Sequence, residues 1–83
     1  MTPDTFSTEY MDFVRQPSLE KKTRIYCVYT KRGDILGFIK WYGPWRQYTF
    51  HPSADTIFNK GCLFDIESFL VRLMNDRKKA RAA

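Results

Sequence analysis

Apolar residues change their spacing along the chain, and each change predicts an element. Phe6, Tyr10, Phe13 and Val14 fall at i, i+4, i+7 and i+8, the repeat of one helix face. Ser7 is available as an N-cap, Glu9 and Asp12 lie early enough to favour the positive end of a helix dipole, and Pro17 stops the run. The pattern predicts a short N-terminal helix. A helix of this length is marginal alone, so it must dock through Phe6, Tyr10 and Phe13 or fray.

From Arg24 the period shortens to two. Residues 24–30 and 35–42 are rich in β-branched and aromatic side chains, and the turn-like Lys31-Arg32-Gly33-Asp34 lies between them. They are expected to form an antiparallel hairpin. Gly43-Pro44 interrupts the chain, and residues 45–51 follow as a third strand that ends at Pro52. Beyond a polar loop, residues 62–75 place Cys62, Ile66, Phe69, Leu70 and Leu73 on one stripe, the mark of a C-terminal helix. The expected fold class is α+β: a three-stranded antiparallel β-meander packed on a C-terminal α-helix, with a short N-terminal helix. Residues 1–20 form an acidic leader, 21–76 the β-β-β-α domain and 77–83 a basic tail.

Alternation also sorts the strands into two faces. If both turns hold an even number of residues, one face carries Tyr26, Val28, Gly37, Ile39, Trp41, Tyr48 and Phe50. Being uniformly apolar, it is expected to take the C-terminal helix, with Gly37 leaving room for close approach. The other carries Ile25, Cys27, Tyr29, Leu36, Phe38, Lys40, Gln47, Thr49 and His51. That mixed face is either covered by the N-terminal helix or is the working surface.

Composition narrows the classes of function. With 83 residues, 43% hydrophobic and 17% aromatic, a single small core forms, which leaves no room for a two-domain enzyme or a large internal cofactor cavity. No apolar run approaches the roughly 18–20 residues of a membrane span. Acidic Asp4, Glu9 and Asp12 stand where a signal peptide would be basic and then apolar. A soluble, cytoplasmic protein is expected, with no membrane partner. Cys27 and Cys62 have apolar neighbours and no second ligand at zinc-site spacing, so both are expected to be reduced core thiols.

Charge is segregated along the chain. The net +5 divides into a leader of four acids against one base, residues 21–50 with seven bases against one acid, residues 51–76 with two bases against four acids, and four bases in residues 77–83. A basic sheet and a basic tail therefore stand against an acidic leader and an acidic helix. The rival account is that the leader folds over the sheet and neutralises it.

No catalytic constellation stands out. His51 has no partner in a nucleophile or metal pattern, Asp65 and Glu67 lie two apart on a helix and do not share a face, and the serines lack a nucleophile-elbow context. No glycine-rich phosphate cradle is present, and Arg32-Gly33-Asp34 is a hairpin tip. We expect a non-enzyme with no catalytic residue, metal or cofactor. The strongest local signal is the aromatic cluster of residues 41–48. Trp41 and Tyr48 are read as core or turn packing, while Tyr42 and Trp45 beside Lys40 and Arg46 join flat stacking surfaces to cations. The expectation is a nucleic-acid-binding accessory protein, for DNA or RNA, in which Lys31, Arg32, Lys40 and Arg46 contact phosphates and Tyr42 and Trp45 stack. The alternative is a protein–protein module that inhibits or assembles, with Trp45, Phe64 and Val71 as apolar anchors for a host or phage protein or for a second copy of the chain.

The run Gly37-Phe38-Ile39-Lys40-Trp41-Tyr42-Gly43-Pro44-Trp45-Arg46-Gln47-Tyr48, followed by Phe50, Pro52, Thr56, Phe58, Cys62-Leu63 and Asp65-Ile66, resembles a family of short uncharacterised proteins carried by phages and other mobile elements. The likeness covers roughly residues 24–73 and implies a shared fold without a mechanism. More loosely, a three-stranded meander followed by one helix is similar in layout to the arm-type DNA-binding domains of phage integrases.

Overall fold

The computed structural model describes residues 3–17 and 23–82, with side chains through residue 80. Strands β1 (Thr5–Ser7), β2 (Met11–Gln16), β3 (Ile25–Thr30), β4 (Ile35–Tyr42) and β5 (Gln47–Pro52) form one antiparallel sheet in chain order. A 3-10 turn, Gly43–Trp45, joins β4 to β5, and helix α1 (Lys60–Ala82) packs on one face. The fold is α+β, with five strands where three were expected.

The extra strands come from the segment expected to be helical. Met11 and Phe13, two apart, are fully buried, while Tyr10, a member of the helical stripe, is exposed. Thr8 makes the reversal: its Oγ1 accepts from the Met11 N–H at 3.1 Å and the Tyr10 N–H at 3.3 Å. The resulting hairpin pairs Met11 to Gln16 with Thr30 to Ile25 along the whole of β3. A docked helix would have left β3 as an unpaired edge, so the ladder wins over a marginal local helix. The three-stranded layout of the integrase domains is accordingly not the one formed.

The helix-bearing face is the one alternation selects. Tyr26, Val28, Ile39 and Tyr48 join Met11 and Phe13 from β2 and Ile66, Phe69 and Leu73 from α1 in a single core, with Trp41 and Phe50 packed at its margin. Phe69 lies at the centre, its ring centroid 4.6 Å from Phe13, 4.8 Å from Tyr26 and 5.5 Å from Phe6. The buried tyrosines keep partners for their hydroxyls: Tyr26 donates to the Pro3 carbonyl at 2.9 Å and Tyr48 accepts from the Arg24 N–H at 3.1 Å.

Two details depart from the alternation. The β3–β4 register shifts between Val28 and Tyr29, so Ile35, not Leu36, opposes Tyr29, and Leu36 packs against the core. The space at Gly37 is filled by the neighbouring strand and not by the helix: a Cβ there would meet the His51 carbonyl oxygen at 2.5 Å and the Phe50 ring at 2.8 Å. Helix α1 starts earlier than the apolar stripe indicates because Asn59 caps it, accepting from the Cys62 N–H at 2.8 Å. It also runs on through the basic residues. Arg72 lies 5.4 Å from the Phe6 ring and Arg77 4.1 Å from the Trp41 ring, so part of the C-terminal charge clasps the aromatic margin of the sheet. Both sheet edges are blunted: β1 is three residues long, and the Tyr48 N–H on β5 donates to the Met74 sulfur at 3.4 Å.

Candidate functional site

Among the described residues, no element packs on the face of the sheet opposite α1. Its central row follows from the register: Thr5, Val14, Cys27, Phe38 and His51 stand side by side across the five strands. Cys27 is nonetheless only 1% exposed. Its neighbours close over it, and the Tyr29 hydroxyl lies against the thiol, a contact that raises the phenol above its ordinary pKa. Both cysteines are free, Cys27 buried and Cys62 half-buried.

The β4–β5 half of this face has a regular composition. On β4, Phe38, Lys40 and Tyr42 alternate onto the open side, and each faces a hydrogen-bonding side chain on β5: Phe38 opposes His51, Lys40 opposes Thr49 and Tyr42 opposes Gln47. Phe38 is 38% and Tyr42 37% exposed, large values for rings within a sheet. At the end of the ladder the 3-10 turn presents Trp45, 65% exposed, with its ring centroid 5.0 Å from that of Tyr42 at an interplanar angle of 83°.

Arg46 follows immediately, with φ 53° and ψ 46°. This is the left-handed region, which costs a non-glycine residue roughly 1–2 kcal/mol. Its N–H donates to the Gly43 carbonyl at 3.0 Å, which fixes the turn. The guanidinium is thus carried at the tip at a conformational expense, a feature that clusters at working sites.

His51 supplies the titratable group. Its ring Nε2 lies 2.8 Å from Thr49 Oγ1, and its pKa is lowered, first by burial and then by the Lys40 charge. The ring is neutral at pH 7 and can donate from one nitrogen and accept at the other.

Of the residues singled out in the sequence, Lys40, Tyr42, Trp45 and Arg46 gather at one end of this face. Lys31 and Arg32 sit in the β3–β4 turn at the opposite end of β4, about 26 Å away at ~3.3 Å per residue. Lys31 is engaged there, its Nζ 2.8 Å from Asp12 Oδ1, and that bond holds the Asp12 carboxyl below its usual value. The acidic leader therefore extends the sheet edgewise and occupies one basic side chain, leaving Lys40 and Arg46 uncovered. Phe64 and Val71 are on α1, 66% and 51% exposed, away from the sheet. Sequence reasoning did not single out Phe38, Gln47, Thr49 and His51 as site residues, although alternation had placed them on the mixed face.

Among the described residues no group of three or more His, Cys, Asp or Glu side chains is placed to hold a metal, and no helix is long and apolar enough to cross a membrane. No protein-family model matches the chain, and no solved structure does. An uncharacterised 9.3 kDa protein of Acholeplasma phage L2 is 43% identical over 77 residues, which cover 92% of this chain and 99% of that protein. An identity of that level over nearly the whole of both chains places this protein in the same family as the phage protein.

Proposed function

We propose that this chain is a small, non-enzymatic nucleic-acid-binding accessory protein of a phage or mobile element, acting in the cytoplasm, and that it binds DNA or RNA through the open face of its sheet. One observation carries the reading: Phe38, Lys40 and Tyr42 form an aromatic–cation–aromatic ladder on an uncovered face and run into exposed Trp45 and Arg46. Rings of this kind stack on bases, and the two cations neutralise phosphates. Lys31 and Arg32 form a separate, weaker phosphate contact at the far end. The run from Gly37 to Tyr48 builds most of this surface.

Fluorescence anisotropy with labelled oligonucleotides tests it. Binding is expected at low salt and weakens steeply as salt rises; the double variant Lys40→Ala, Arg46→Ala weakens it and lowers the slope of log K against log salt by about 2. Absence of binding to single-stranded or duplex DNA or RNA overturns the reading. A second reading, a protein–protein module for a host or phage protein or a second copy, is favoured by exposed Phe64 and Val71 on α1. Light scattering that finds a monomer at high concentration removes self-association through them.

A further inference from the structure

We propose that the open face takes single-stranded DNA or RNA and discriminates against the intact duplex; the inference rests on the nucleic-acid reading above. Spacing is the first reason. Residues two apart on a strand stand about 6.6 Å from each other, so the backbone carries Phe38 and Tyr42 about 13 Å apart, and the Tyr42 ring leans along the strand to within 6.5 Å of the His51 ring. Bases in a duplex are stacked every 3.4 Å or so along each strand, with their faces hidden. A ring on this sheet can meet a base face only when that base has left its stack.

The aromatic corner leads to the same conclusion. The Tyr42 and Trp45 rings meet at 83°, so a base that stacks on Trp45 is met by Tyr42 from the side. Across the ladder, His51, Thr49 and Gln47 oppose Phe38, Lys40 and Tyr42. Their donors and acceptors can read base edges, which are open on the Watson–Crick side only in single strands.

Charge placement completes the argument. Lys40 and Arg46 are both exposed at this end of the face and can serve one backbone, whereas a duplex presents two backbones across a groove about 12 Å wide.

The test compares a labelled 15-nucleotide oligo-dT and oligo-U with a 15-base-pair DNA duplex at one salt concentration. The expected result is at least tenfold tighter binding to the single strands. Trp45→Ala and Phe38→Ala, both at exposed positions and checked for folding by circular dichroism, each weaken single-strand binding by about 5- to 100-fold and weaken residual duplex binding less. Equal or tighter duplex binding overturns this inference while the broader reading stands; single-strand binding indifferent to both substitutions takes the aromatic ladder out of the site and overturns both. Binding to none of the three overturns both.

Discussion

The two faces of the sheet use the same strands and many of the same residue types to opposite ends. On the helix side Phe13, Tyr26, Val28 and Ile39 are fully buried around Phe69, and the tyrosine hydroxyls are satisfied. On the open side the aromatic positions of β4 alternate with Lys40 and face His51, Thr49 and Gln47. The core in so small a chain benefits from every large apolar group. Phe38, Tyr42 and Trp45 stay partly or largely in water, and burial does not account for them. The difference teaches that aromatic content alone says little; what surrounds each ring separates a core side chain from a contact side chain.

Five substitutions sharpen that contrast. The largest effect is expected at Phe69: Phe69→Ala should cost about 3–5 kcal/mol in urea denaturation, a large share of the stability of any small domain. Phe38→Ala should cost about 1 kcal/mol or less. Equal losses would mean that the open face is a second core. Next comes Gly37→Ala, which drives a methyl group against the His51 carbonyl and the Phe50 ring. It should lower stability by about 1–3 kcal/mol in the same assay, because the obstacle at the carbonyl is backbone.

Arg46→Gly separates stability from binding. Glycine accepts the left-handed conformation without the Cβ penalty, so unfolding free energy should rise by up to about 1 kcal/mol while nucleic-acid affinity falls severalfold. A variant that loses both would show that the turn depends on the arginine side chain. The smallest effect is at His51. Its folded pKa is depressed from 6.5 by burial and by Lys40, so the unfolded chain binds the proton more readily. Stability is full above pH 6.5, falls as pH drops through the window just below, and levels off once the folded ring is also protonated. His51→Gln should flatten that part of a thermal-melt pH series. The Asp12 carboxyl, depressed from 3.8 by Lys31, acts in a separate window, and its contribution is lost only as pH falls below about 4.

Much of the fold was legible because its signals are local. The stripe of Ile66, Phe69 and Leu73 needs only helical spacing, and the choice of helix-bearing face needs only alternation. The N-terminal segment was misread because it satisfies two periods: Phe6, Tyr10, Phe13 and Val14 fit a helix, while Met11 and Phe13 fit a strand. What decides between them is the unpaired edge of β3, a partner more than ten residues away. Leu36 went to the wrong face through a register shift that no residue type announces. At the site, Tyr42, Trp45, Lys40 and Arg46 were legible as a cluster around a Gly-Pro turn. Phe38 and His51 were not, because they join the cluster only by standing opposite each other on paired strands. The Lys31–Asp12 bond spans nineteen residues and was likewise invisible in the sequence.

The central claim is that the open face, and not the helix, is the working surface. Backbone chemical shifts of the labelled protein, followed by NMR as a 15-nucleotide single strand is added, test it most directly. The account predicts perturbations concentrated at Phe38, Lys40, Tyr42, Trp45, Arg46, Thr49 and His51, with Phe64 and Val71 unmoved. Perturbations confined to the outer face of α1, or none anywhere at saturating oligonucleotide, would contradict it.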